Sequence, residues 1–240
     1  KYPLKGNENE GRKQYSADLI HDRALAFIRS NADRPFFLYA CTTLPHGRFE
    51  IPSDAPYSKR DWPEADRNFA AMVTRADRHF GEILKTLRDL RLDQNTVVMV
   101  ASDNGGTGTP ERIKLFNSTG PFRAQKGAVY EGGIRVPLIV RWPGRVKPRT
   151  ETGFPSAFCD FLPTAAEIAG VRANGRTDGV SLVPTLAGRK QERQGLYWEQ
   201  HQYNRKAKQL TNMMQAARMG RWKPVIPKPS APLELYDLET

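Results

Sequence analysis

The sequence predicts an α/β fold: a mostly parallel sheet flanked by helices, followed by a small antiparallel element. Three observations carry this expectation. Helical periodicity alternates with strand-length apolar runs up to about residue 188. Those runs lack polar alternation, as strands covered on both faces do. After Gly188 the pattern changes to short strands at close spacing. On this basis residues 1–188 form the main α/β domain and 189–240 a small antiparallel subdomain.

The elements follow in order. The first fifteen residues are polar and read as a loop. From Ser16 a helix is expected, with Leu19, Ile20, Ala24, Phe27 and Ile28 on one face, ending at Arg34-Pro35. Phe36 to Cys41 is a continuous apolar run suited to a buried strand, and the prolines from Pro45 to Pro63 mark an irregular loop. The clearest helix carries Phe69, Met72, Val73, Ala76, Phe80, Ile83, Leu84, Leu87 and Leu90, and stops near Asp93-Gln94-Asn95. Thr96 to Ala101 is a second buried strand. A long Gly-rich loop then runs to Gly133, and Val136 to Trp142 is a third strand closed by Pro143-Gly144. A helix over about 160–169 has Pro163 in its first turn and Gly170 just past its end. Four short strands follow, over 195–200, 215–219, 222–226 and 233–238.

Length and composition exclude several classes. At 240 residues the chain can bury a core without a disulfide or zinc staple. Its apolar runs fall far below the roughly 18 residues of a membrane span. Cys41 lies in an apolar run and Cys159 between Phe158 and Asp160, so each reads as a small buried residue, with a bridge between them left open. Lys1 to Lys5 leads into a polar run rather than a leader's apolar one, and the missing initial Met places the expected start upstream. The 37 Lys and Arg against 26 Asp and Glu leave a charge of +11. Ten of those cations and two acids fall between Arg189 and Lys228, a tract that either steers polyanions or is a solvated loop.

In open α/β sheets, ligands bind in the loops that leave the carboxyl ends of strands. Three strand-associated loops carry suggestive groups. Asp103 and Asn104, directly after the second strand, offer two hard oxygen donors of the kind that hold Ca²⁺ or Mg²⁺. The same Asp-Asn-Gly-Gly also satisfies a tight turn. Lys126, in a Gly-punctuated loop, presents a compact cation for a tetrahedral oxyanion, and equally reads as a surface lysine. His46, after Leu44-Pro45, suits donation to an anion or leaving-group oxygen, or simple solvation. Glu131 and Arg135 are tempting charges that also pair naturally with one another.

Taken together, these residues resemble a known family. The segments are Pro35-Phe36-Phe37-Leu38-Tyr39 into Leu44-Pro45-His46, Ser102-Asp103-Asn104-Gly105, and Lys126-Gly127 through Tyr130-Glu131-Gly132-Gly133 to Val136-Pro137. Arg141-Trp142-Pro143-Gly144, Asp160-Phe161-Leu162-Pro163-Thr164, Asp178-Gly179 and Glu234-Leu235-Tyr236-Asp237-Leu238 continue the series. In that order they are similar to the C-terminal half of the type I sulfatases, the arylsulfatases and glycosaminoglycan sulfatases of the alkaline-phosphatase superfamily.

The resemblance implies a partial alkaline-phosphatase-like sheet and calcium-dependent hydrolysis of sulfate esters by a formylglycine nucleophile. It implies Asp103 and Asn104 as metal ligands (Ca²⁺ before Mg²⁺), Lys126 as a sulfate contact, and His46 beside sulfate and leaving oxygen. Substrates would be sulfated small molecules or glycans, with no specific nucleic acid. The parent would be periplasmic, secreted or lysosomal.

The Cys/Ser-x-Pro/Ala-x-Arg motif that yields formylglycine is not matched at Cys41 or Cys159. Ser30-Asn31-Ala32-Asp33-Arg34 fits its letters but lies in the wrong setting. The nucleophile and the remaining aspartate ligands are therefore expected in a missing N-terminal half, and the chain alone is expected to be inactive. Two alternatives stand beside this reading: a phosphoryl-transfer relative such as a phosphodiesterase or phosphonate hydrolase, and a non-catalytic polyanion-binding fragment using the basic tract.

Overall fold

The computed structural model describes residues 4–8, 11–204 and 208–240. The chain divides into two compact units, Lys1–Thr96 and Val97–Thr240, each considered by itself. Arg205 and Lys206 of the basic tract lie outside the described residues.

The first unit is a helix pair. Helix α1, Ser16–Ser30, has Asp18 in its first turn and Arg29 in its last, matching the helix dipole at both ends. Helix α2, Glu64–Asp89, begins after Pro63 with Glu64 and Asp66 in its first turn. A short 3-10 turn, Asp93–Asn95, closes the unit where the helical pattern was expected to stop. Ala17, Leu44 and Met72 form its buried cluster, with Tyr15, Phe49, Ile51 and Ala76 packed around them. The buried face of α1 is Ala17, His21, Ala24, Leu25 and Ile28, rotated from the expected one: Phe27 is exposed and His21 turns inward. The reason is polar. On α2 Arg75 donates to Asp18 and Glu82 faces His21, so ion pairs, and not the largest apolar side chains, set the rotation.

The second unit carries β1 (Val98–Ala101), α3 (Pro110–Phe116), α4 (Glu131–Ile134), β2 (Leu138–Arg141), α5 (Phe161–Ile168) and α6 (Val183–Leu186). Strands β3 (Leu196–Asn204), β4 (Gln209–Arg218), β5 (Trp222–Ile226) and β6 (Glu234–Asp237) follow as an antiparallel meander in sequence order. The small antiparallel tail is thus present. Val129, Tyr130, Ala216 and Val225 form the core beneath it, with Trp198, Met214 and Tyr236 packed against them. Gly170 takes φ +71° just past α5, as its position predicts.

The mostly parallel sheet is not seen. Strands β1 and β2 pair antiparallel, Val98 opposite Arg141 and Ala101 opposite Leu138, and no parallel pair occurs among the described residues. An apolar run specifies a strand but not its direction; the connection does that. Parallel neighbours need a crossover, usually a long helix. Between β1 and β2 stand only α3 and α4, of 7 and 4 residues.

The run Phe36 to Cys41 forms no strand, and Phe37 and Tyr39 are 66% and 78% exposed. Ile139 on β2 is 64% exposed, so burial on both faces does not hold there either. Cys41 and Cys159, expected to be buried, are both exposed free thiols. Among the described residues no helix is long and apolar enough to cross a membrane.

Candidate active site

β1 hands directly to the turn Ser102–Gly106. The Ser102 hydroxyl donates to the Asn104 carbonyl at 3.0 Å, and Asn104 Nδ2 donates to the Gly105 carbonyl at 3.0 Å. Local bonds therefore shape the Asp-Asn-Gly-Gly turn, as its composition allows. They use the amide N–H of Asn104 and leave its Oδ1 as an acceptor. The Asp103 side chain is exposed beside it.

Glycines make the next contact possible. The Gly105 N–H donates to the Gly133 carbonyl at 2.9 Å, and a Cβ on Gly105 would lie 1.9 Å from the Gly132 carbonyl oxygen. A Cβ on Gly132 would meet Ala124 O at 2.2 Å, and one on Gly133 would meet Ala128 O at 2.1 Å. Only backbones without side chains can cross this closely. The crossing brings in the lysine loop: the Lys126 N–H donates to the Gly106 carbonyl at 3.0 Å, and Gly108 N–H donates to Gln125 Oε1 at 3.2 Å. Asp103, Asn104 and Lys126, separate in sequence, thus stand on one backbone knot, with the Lys126 side chain exposed. A cavity of about 330 Å³ opens next to Gly105, walled by Ser118, Thr119, Phe122, Gly132, Arg135 and Val136 among others.

His46 belongs to the first unit. Buried Leu44 anchors its loop in the cluster with Ala17 and Met72, and the His46 N–H donates to the Thr43 carbonyl at 2.9 Å. The ring is exposed, and its Nδ1 donates to the Gly47 carbonyl at 2.6 Å, which leaves Nε2 for other partners.

Polar residues around the knot tie it to the meander, and sequence reasoning missed most of them. Lys223 on β5 is 1% exposed and donates to Glu131 Oε1 at 2.5 Å, while Arg135 approaches the other Glu131 oxygen at 3.5 Å. Glu131 and Arg135 do pair, as one reading of the loop expected, yet the tighter partner is 92 positions away. Burial lowers the Lys223 pKa, and Glu131 opposes that shift. Tyr130 donates to Glu234 at 2.8 Å, and burial together with that bond pushes its phenol up to about 12. Arg123 lies over the Tyr130 ring, 4.2 Å from its centroid, and bonds Glu234 at 3.0 Å. No local pattern announces such long-range partners.

Asp160 and Thr164, from the same series of motifs, are engaged in holding the backbone. Asp160 accepts from Ala157 N–H at 2.8 Å and Val180 N–H at 2.9 Å, and it pairs with buried Arg193. Thr164 donates to the Asp160 carbonyl at 2.6 Å and accepts from Leu182 N–H at 2.9 Å.

The sulfatase family model matches residues 1–171, and the model for the C-terminal region of N-sulphoglucosamine sulphohydrolase matches residues 122–240. The chain belongs to the sulfatase family. A sulfatase from Formosa agariphila is 32% identical over 223 residues, covering 82% of the chain and 39% of that protein. Human arylsulfatase A is 34% identical over 171 residues, covering 69% of the chain and 32% of the relative.

The crystal structure of Ps i-CgsB in complex with k-i-k-neocarrahexaose matches this sulfatase chain with TM-score 0.79 and 25% identity, over 97% of the chain and 51% of that structure. A phosphonate monoester hydrolase from Silicibacter pomeroyi matches with TM-score 0.69 at 19% identity, over 94% of the chain and 54% of that structure, a likeness of fold alone. The sulfatase chain spans less than half the length of these two curated relatives.

Proposed function

We propose that this chain is the C-terminal portion of a hydrolase for sulfate esters, and that Asp103, Asn104 and Lys126 are part of its reaction site. One observation carries the reading. The Lys126 amide is bound to the Gly106 carbonyl, so the lysine loop lies against the turn bearing Asp103 and Asn104.

The donor set fits a hard cation. A carboxylate and a free amide oxygen suit Ca²⁺ better than Mg²⁺, which keeps more of its water and demands stricter geometry. Among the described residues no group of three or more His, Cys, Asp or Glu side chains is placed to hold a metal, so the pair fits as part of a larger set. When bound, such a cation polarises the sulfate oxygens. Lys126 supplies an exposed ammonium that donates to a sulfate oxygen, a contact that strengthens as negative charge gathers there.

His46 enters through the family resemblance. With Nδ1–H held by the Gly47 carbonyl, Nε2 carries a proton only in the imidazolium form. In that form it passes the Nε2 proton to the leaving oxygen as the S–O bond breaks. The nucleophile lies outside this chain in our reading. Cys41 and Cys159 lack the formylglycine context, and the Ser30 hydroxyl donates to the Phe27 carbonyl at the end of α1. Relatives described in complex with a neocarrahexaose and with D-glucosamine-2-N, 6-O-disulfate support a sulfated glycan as the substrate class.

In the whole protein, Lys126→Ala is expected to lower kcat/KM on an aryl sulfate roughly 100-fold or more. The isolated chain should show no turnover. Hydrolysis by the isolated chain, or an unchanged kcat/KM in the variant, would sink the reading; a strong preference for phosphate esters would move it to the phosphoryl-transfer relative.

A further inference from the structure

Among the charged side chains of the second unit, Lys223 stands apart. Its ammonium is almost fully enclosed, 5.2 Å from the centroid of the Trp198 ring, and it reaches from β5 to Glu131 at the start of α4. An ammonium with one short carboxylate contact in an apolar wall is costly to leave unpaired. Such a pair needs a compensating role, and its position suggests one.

Glu131 leads straight into Gly132 and Gly133. Gly132 N–H donates to the Arg123 carbonyl and Gly133 N–H to the Tyr130 carbonyl, both at 2.9 Å. The Gly133 carbonyl receives Gly105 N–H at 2.9 Å, and the carbonyl of the next residue in that turn, Gly106, receives Lys126 N–H at 3.0 Å. An unbroken path of short contacts therefore runs from the meander, through Glu131, to the turn of Asn104 and the backbone of Lys126. Tyr130 and Arg123, whose carbonyls accept from the same glycines, are tied to the meander separately, through Glu234, so Lys223 is the tie that acts through Glu131 itself.

We propose that Lys223 is a positioning residue: by holding Glu131 it fixes the glycine crossing and thereby the place of Lys126 relative to Asp103 and Asn104. The proposal rests on the reading of Lys126 as an oxyanion contact, but its first test does not.

That test is amide hydrogen exchange on the full chain. The Lys126 and Gly105 N–H groups report the crossing directly, because each donates across it. Replacing Lys223 by Met removes the short contact and leaves part-buried Glu131 only the more distant Arg135, at 3.5 Å, so both amides should exchange faster by on the order of 10-fold or more. Lys223→Arg, which keeps a cation for Glu131, should stay within about threefold of the parent. Lys223→Met combined with Glu131→Leu removes both charges, and should recover most of the protection if the ion pair, and not the side-chain volume, is what acts.

Unchanged exchange at Lys126 in Lys223→Met overturns the proposal. So does a double variant no better protected than the single. Should Lys223→Met not fold, Glu131→Ala, which removes the carboxylate that Lys223 holds, gives the same readout, and unchanged exchange there overturns the proposal equally.

Binding of inorganic sulfate, followed by NMR on the same variants, separates the two readings. Sulfate affinity lost in both Lys126→Ala and Lys223→Met, and regained in Lys223→Arg, supports positioning in service of the anion. Faster exchange in Lys223→Met with sulfate binding indifferent to Lys126→Ala supports the positioning and overturns the anion reading. Sulfate binding lost in Lys126→Ala alone, with exchange unmoved in Lys223→Met, does the reverse.

Discussion

Asp160 is the most fully committed carboxylate in the second unit. It has no solvent exposure, accepts two backbone N–H groups, and faces an Arg193 side chain that is 4% exposed. Asp160→Asn would keep the volume but leave the guanidinium buried without a counter-charge. The expected loss is about 3–5 kcal/mol, read as a lower urea midpoint at unchanged slope.

A neighbouring comparison isolates backbone crossing from backbone conformation. Gly105→Ala must displace the Gly132 carbonyl, whereas Gly127→Ala meets open space and bears only the strain of φ +89°. The second should cost about 1–2 kcal/mol and the first clearly more, in the same unfolding assay. At this scale the approach of the Asp103-Asn104 turn and the Lys126 loop was legible, because glycines and strand ends flag loops where backbone must come close. Lys223 and Glu234 were not, since a basic or acidic residue on a short strand looks alike whether it faces solvent or a partner a hundred residues away.

Between α1 and α2 lies a cluster whose behaviour depends on protons. The His21 and His79 rings stack at 4.0 Å, within 1° of parallel, and both are buried. His21 meets Glu82 at 2.6 Å, His79 meets Asp18 at 3.3 Å, and Arg75 and Arg78 lie against the same two carboxylates. The acids are thus already countered before either imidazole is charged. Burial, then the nearby His21, lowers the His79 pKa below its ordinary 6.5, with Asp18 acting the other way. A histidine that resists protonation when folded leaves the unfolded chain binding more protons, so this group's contribution falls as pH drops below about 6.5. His79→Phe, which keeps a stacked ring without a titrating nitrogen, should flatten the fall in unfolding free energy between pH 7 and 5.5.

Both long helices were legible from their three-and-four spacing. The rotation of α1 was not, because periodicity weights apolar side chains and here ion pairs chose the face. Helix α3 carried a signal that went unread within the Gly-rich stretch: Thr109 caps the Arg112 N–H, Pro110 opens the first turn, and Asn117 closes it in the left-handed conformation. Strand direction was beyond reach, since β1 and β2 would carry the same apolar residues in either orientation.

For the molecule as a whole, the question left by composition is whether its excess of cations makes it a polyanion binder. Counting charge alone favours that view, because the tract from Arg189 to Lys228 holds most of the excess. Its folded arrangement argues otherwise. Lys223 is engaged by Glu131, Arg193 by Asp160, and Arg221 by Asp237 and, at 3.2 Å, by Glu239. A cation already neutralised by a carboxylate, buried as Lys223 and Arg193 are or exposed as Arg221 is, has little counterion to release when a polyanion arrives, so it adds little to the salt dependence of binding. Arg189, Lys208 and Lys228 are exposed, and they are the described members best placed to contribute. The dependence of heparin affinity on salt should therefore change by roughly 0.7–0.9 in log–log slope for each of these three converted to Gln. Arg221→Gln should leave the slope as it was while lowering stability. If Arg221 instead proves worth a full unit of slope, the ion pairs open readily in solution and the tail is a polyanion surface after all.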